Sequence, residues 1–271
     1  MKNFLRKSFV LSVVSIISAS MLLTSCLSTF MDSLDGVLGT GSGKSTVSFT
    51  NDEAVFALKD ALVEGIGSAS KNLSKTDAYF KNAALKILLP SEAQPILDVL
   101  NQIPGGQSLA DNVVLRLNRT AEIAAKDTVS IFTSAIKTMT IVDGIKIVTG
   151  SNTAATQYLK NKCYDKLVTL YKPMINSVLN KPLIMNMSAN EAWTNLVTTY
   201  NKYGQIPNAA AKLTGSALPF PPVEVDLAKY ATEKALDGLF LKIGEEEGKI
   251  RKNPFNYASN MIQKVFGSLI K

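Results

Sequence analysis

Apolar positions along most of this chain recur three and four residues apart, the period of a helix with one buried stripe. Leu109, Val113, Leu117, Ala121 and Ala124 form one such stripe, and Ile131, Phe132, Ala135, Ile136 and Met139 a second. A third, with Leu236, Leu239, Phe240, Ile243 and Ile250 inward, belongs to a long helix expected from Asp226 to about Lys252. Glu245/Lys249 and Glu247/Arg251 fall four apart on its outer side. Pro254 ends that helix, and a last one carries Ile262, Val265 and Phe266. Long strand-like alternation is absent. The pattern predicts an all-α fold, a multi-helix bundle or array of about eight to ten helices.

Helix starts are marked by three capping boxes, in which a hydroxyl takes a free backbone N–H and a carboxylate three residues on reaches back. Thr50 to Glu53 opens a helix to about Gly67; Thr140 to Asp143 and Ser188 to Glu191 are the other two. The low-order stretch is Gln205 to Val225, where Pro207, Pro219, Pro221 and Pro222 are expected to forbid a continuous helix. It is read as a surface insertion, with a lid as the second reading.

The first 25 residues follow a different pattern. Lys2, Arg6 and Lys7 precede an apolar run from Phe9 to Leu23 that is diluted by Ser12, Ser15, Ser18 and Ser20. This is the layout of a secretory signal peptide and is short for a membrane span. Leu23, Thr24, Ser25 and Cys26 resemble the lipobox of bacterial lipoproteins, which implies cleavage before Cys26 and lipidation of its thiol. A thiolate is nucleophilic enough to take the diacylglyceryl group, and a further acyl chain on the freed amine gives stable anchoring. Residue 27 is Leu rather than the Asp that retains some lipoproteins in the inner membrane. The expected location is the outer membrane, lipid-anchored and facing the periplasm. The chain then divides into a signal peptide at 1–25, a lipidated cysteine with flexible tether at 26–49, and an all-helical domain at 50–271.

Within the tether, Gly39 to Thr46 imitates a phosphate-binding loop. Counting back five from Gly43 reaches Leu38, where the pattern requires glycine, and no strand precedes it. A mobile Gly/Ser linker accounts for the same letters.

Composition removes several chemistries. The chain holds no histidine, which excludes Ser-His-Asp and Cys-His catalysis and His-containing zinc sites. Of its two cysteines, acylation of Cys26 leaves Cys163 alone, read as a small buried residue. Removing the three basic residues before Cys26 leaves 26 basic against 22 acidic residues, a mild excess without a basic stripe. Nucleic acid and nucleotide partners are therefore not expected, and neither a cofactor nor a metal is.

Several segments resemble the bacterial domain-of-unknown-function family 4197. They are Leu115 to Glu122, Ile131-Phe132 through Ala135-Ile136 to Met139-Thr140, Thr153 to Thr156, and Tyr200-Asn201. The strongest is Tyr230 to Phe240, followed by Glu246-Glu247, Ile250-Arg251 and Lys264 to Gly267. The resemblance covers nearly everything from Asn51 to Gly267 and departs in the proline-rich stretch, which is longer here. It implies an all-helical exported protein and brings no established activity.

Polar groups in these segments form the candidate cluster: Asn118, Arg119, Glu122, Asp143, Asp237, Glu246 and Glu247. If their carboxylates converge in a cleft, they suit a cation or acid/base work. If not, Arg119 and Glu122 form a register-fixing ion pair and Asp143 is a cap. The free N–H groups at Thr153 to Thr156 suit an anion, or caps from Ser151 or Thr153. Phe132, Tyr158, Trp193 and Phe240 line either a lipid pocket or ordinary core. The expected function is a non-enzymatic envelope module that binds a partner protein or an apolar or glycan ligand. The alternative is a carboxylate-dependent hydrolase acting on an envelope polymer.

Overall fold

The computed structural model describes residues 48–102, 104–182, 184 and 186–270; the export segment, Cys26 and the Gly/Ser run at 39–46 lie outside them. Thr50 and Glu53 form the expected capping box, and the helix they open, α1 (Asn51–Leu73), runs beyond Gly67. Gly67 meets open space, and the apolar seam continues past it through Ala69 and Leu73, so the extra turn and a half buries surface at little cost. Ala54, Ala57, Ala61 and Gly65 make that seam narrow, and α8 (Leu227–Lys252) packs along it. A Cβ at Gly65 would lie 3.0 Å from Ile243 Cγ2, so the small residue sets the spacing of the two helices.

Around this pair, α6 (Ala154–Leu179) covers the other side of α8, and α4 (Thr128–Thr138) and α9 (Asn260–Gly267) flank α1. α3 (Gly106–Ala124) bridges α6 and α7 (Ala189–Thr214), with short α2 (Gln94–Leu100) against α3 and α7. No strand occurs among the described residues, only an isolated bridge between Ile184 and Met187. The fold is all-α. No helix among the described residues is long and apolar enough to cross a membrane.

The apolar stripes lie where the periodicity put them. Val113, Leu117, Ala121, Phe132, Ile136, Leu236, Leu239 and Ile243 are all buried in one core, and Cys163 is buried and free. Four expectations need correction. The Thr140 to Asp143 stretch is not a capping box: Asp143 is itself the N-cap, accepting from Lys146 N, of the five-residue α5 (Gly144–Val148). α5 starts there because Asn51 Oδ1 takes the N–H groups of Gly144 and Ile145, while Asn51 Nδ2 donates to Val142 O.

The stretch from Gln205 is low-order only in its second half: α7 continues through Pro207 to Thr214 and stops at Gly215 in the left-handed region, and residues 216–226, with Pro219, Pro221 and Pro222, are irregular as expected. The carbonyl that Pro207 deprives of a donor is that of half-exposed Tyr203. Third, Glu245 pairs with Lys242 and Lys249 with Glu246, both three apart. Fourth, Glu247 and Arg251 are paired as expected but buried.

Candidate functional site

Asn118 and Glu122, four apart on α3, turn their side chains to the irregular segment 74–90. Asn118 closes on Ile87 from both ends: Ile87 N donates to its Oδ1 at 2.9 Å, and its Nδ2 donates to Ile87 O at 2.8 Å. A single amide thus replaces a neighbouring strand. Glu122 Oε1 accepts from Tyr79 N at 3.1 Å and Phe80 N at 3.3 Å, and Oε2 from Arg119 Nη1 at 2.6 Å. Arg119 extends the network outward, donating through Nη2 to Asp77 Oδ1 at 2.6 Å, and Lys81 lies 2.8 Å from Asp77 Oδ2.

Lys81 first and Arg119 second hold the Asp77 carboxyl below the usual carboxylate range. Asp77 has φ 68°, a left-handed backbone that Asp tolerates better than most residues. Tyr79 completes the staple, donating its hydroxyl to Ala235 O at 2.9 Å. Its ring occupies the space a side chain at Gly238 would need, 2.6 Å from the Cβ position, which explains the glycine beside Asp237. Burial, then the Glu122 charge, push the Tyr79 phenol far above its usual range.

The second network belongs to Glu247. Its Oε1 accepts from Ala155 N at 3.0 Å, and its Oε2 from Thr156 N at 2.7 Å and Thr156 Oγ1 at 2.6 Å. The opening turn of α6 does hold an anion, and the anion is the protein's own carboxylate. Thr153 at the N-cap makes no side-chain cap bond. Arg251 donates to Glu247 Oε1 through Nε at 3.0 Å and Nη2 at 2.7 Å. It also donates to Ile147 O and Val148 O at the end of α5, with its guanidinium over the Phe266 ring.

The remaining candidates stand apart from both networks. Glu246 accepts from Lys249 at 2.9 Å and from the Tyr257 hydroxyl at 2.8 Å; burial raises its pKa, and these two partners outweigh that and hold it below the ordinary value. Asp237 is half exposed and accepts from Lys160 at 2.8 Å, and Asp143 caps α5. The structure therefore brings Asn118, Arg119 and Glu122 together and leaves Asp143, Asp237, Glu246 and Glu247 in other networks. No cluster of His, Cys, Asp or Glu among the described residues is arranged to hold a metal ion.

The aromatic candidates divide as well. Phe132 and Phe240 pack on each other in the core, ring centroids 5.7 Å apart. Trp193 lines an open groove of about 500 Å³ with Val197 and Val223, and Tyr158 another of about 370 Å³ with Cys163, Lys162 and Lys166. In the latter, burial pushes the Cys163 thiol up against the opposing pull of Lys166. A third groove, about 450 Å³, runs between residues 84–89 and α8 past Lys86, Tyr230, Lys234 and Asp237.

Sequence reasoning missed Asp77, Tyr79 and Arg116. Arg116 is buried and donates to Asn112 O, Asn112 Oδ1, Ile184 O and Met187 O, tying the turn before α7 to α3. Its place in the Leu115 to Glu122 stretch was the available signal; Asp77, 42 residues from Arg119, gave none.

Fold and networks together define an all-α domain whose buried charges tie segments distant in sequence to its central helices. The chain belongs to the family described as protein of unknown function DUF4197, whose model matches residues 48–267. No curated protein and no solved structure matches it.

Proposed function

We propose that this protein is a lipid-anchored, non-enzymatic binding module of the bacterial envelope, exported by residues 1–25, acylated at Cys26 and facing the periplasm from the outer membrane. The domain binds a partner protein or an apolar or glycan ligand of that compartment. The observation that carries the non-enzymatic part is the occupancy of the candidate carboxylates. Each of Glu122, Asp143, Asp237, Glu246 and Glu247 already accepts from an arginine, a lysine or a helix N-terminus. A hydrolase of the two-carboxylate kind needs a pair facing one cleft at about 5 to 9.5 Å, with one carboxyl raised to serve as acid. The shift at Glu246 runs the other way.

The test is purification of the full chain from its own envelope, with fatty-acid labelling and mass spectrometry of what travels with it. Labelling is expected in the wild type and lost in Cys26→Ala, with a lipid, glycan or protein recovered above a control lipoprotein. Persistent labelling of Cys26→Ala overturns the anchor. Recovery of nothing above the control overturns the binding role.

A further inference from the structure

The end of α7 is built inside out. On its packed side, Gly204 makes room for Phe220, whose Cβ lies 2.6 Å from the position a side chain there would take. Asn208 grips the Phe220 backbone from both ends, accepting from its N–H at 3.0 Å and donating to its carbonyl at 2.7 Å. Tyr200 donates its hydroxyl to Pro221 O at 3.0 Å, so the returning chain is fixed along this side.

Beyond Tyr200, which is buried on the packed side, the larger apolar residues lie toward solvent. Tyr203, Ile206, Ala210 and Leu213 follow a 3-4-3 spacing and share one stripe, centred roughly 130° round the helix from the packed side; Tyr203, at its inner edge, also packs edge-on against the Phe220 ring at 5.9 Å. Tyr203 is 50% exposed, Ile206 83% and Leu213 90%. Single exposed apolar residues are ordinary, but an ordered stripe away from a packed face that holds Gly204 and Asn208 beside Tyr200 is not.

From these observations we infer that the Tyr203/Ile206/Leu213 stripe lies on an anionic phospholipid surface, so that the domain touches the membrane that carries it. Charge identifies the occupant. No acidic residue occurs between Glu191 and Glu224, while exposed Lys202 flanks the stripe, roughly 60° round the helix from it. Cationic, apolar and aromatic side chains on one exposed helix are the combination that seats in the headgroup region of anionic bilayers. Length permits it: the 20 residues between Cys26 and Val47 span at most roughly 70 Å. The inference rests on the lipoprotein reading for proximity and on the stripe for contact, and the experiment separates the two.

The full chain in a Cys163→Ala background, carrying a nitroxide at Leu213→Cys or, on the polar side of the same arm, at Gln205→Cys, is reconstituted into vesicles of phosphatidylethanolamine and phosphatidylglycerol. Accessibility to oxygen relative to an aqueous nickel complex is expected to be at least about tenfold higher at 213 than at 205. Equal accessibility in a chain that floats with the vesicles overturns the contact and leaves the anchor standing. Dipolar broadening at 213 assigns the stripe to a second copy and also overturns it. If the chain fails to float with neutral vesicles, the anchor is wrong and the stripe is judged alone on anionic ones. Flotation there that is lost in Ile206→Asp/Leu213→Asp, with an unchanged far-ultraviolet spectrum, upholds the contact. Unaltered flotation, or none in the wild type, overturns it.

Discussion

Glu122 and Glu247 are the same device in two settings. Each is a buried glutamate one turn from an arginine on its own helix, and each gives its oxygens to backbone N–H groups of a distant segment. They differ in what they hold and in how their charge ends. Glu247 fixes the first turn of a 26-residue helix, and its partner Arg251 is 8% exposed and spends its other donors on carbonyls. Glu122 fixes an irregular segment, and Arg119, 21% exposed, passes the charge outward to Asp77 and Lys81. A closed pair has no second partner when one member is lost. A chain of charges that reaches solvent does.

The largest expected effect follows directly. Glu247→Ala leaves the Arg251 guanidinium buried without a counter-charge and is expected to cost about 3 to 5 kcal/mol in urea unfolding. Replacing both groups, Glu247→Leu with Arg251→Met, is expected to recover part of that loss, because no lone charge remains, while the Ala155 and Thr156 donors and the Ile147 and Val148 carbonyls still lose their partners. Glu122→Ala comes next, at about 1 to 3 kcal/mol for two backbone donors left without an acceptor, since Arg119 keeps Asp77. Equal losses, or a larger one at Glu122, would break the comparison. Hydrogen exchange sharpens it: opening is expected at Tyr79 and Phe80 in the Glu122 variant, and at Ala155 and Thr156 in the Glu247 variant.

What was legible beforehand divides along the same line. The helices could be read because each buries one stripe, so that Val113, Leu117 and Ala121 announce α3 without reference to anything else. The boxes at Thr50 to Glu53 and Ser188 to Glu191 could be read because donor and acceptor lie within three residues. Arg119 with Glu122 was equally local. The backbone targets of the two glutamates lie 43 and 92 residues away in sequence, and no periodicity encodes them. Glu247 with Arg251 was assigned to the outer face because an i,i+4 pair has the same spelling in water and in the core. Thr140 misled because a hydroxyl three residues before an acid is a box only if the helix starts there; Asn51, on another helix, decided where α5 began. Pro207 misled because an isolated proline is judged against a helix interior, whereas its place is an exposed arm.

The smallest effect expected is in acid, and it bears on the outward end of the Glu122 chain. Asp77 is held below its ordinary pKa by Lys81 and then Arg119, so its unfolded value is the higher of the two. With that sign, its contribution is complete above about pH 4, the ordinary carboxylate value, and is lost as the pH falls through the lower folded value. Protonation releases Lys81 and Arg119 together, and segment 74–90 loosens at its outward end. Amides at Tyr79 and Phe80 are therefore expected to lose protection as the pH is lowered from about 4. Asp77→Asn separates this cause from general acid unfolding. Asn accepts the positive φ of this position as readily as Asp, so the fold is kept while the titrating group is removed. The early loss at Tyr79 should then no longer depend on pH in that window. If the loss at Tyr79 persists unchanged in Asp77→Asn, Asp77 is not the group that ties this segment in acid, and the outward end of the Glu122 chain carries no part of the contrast.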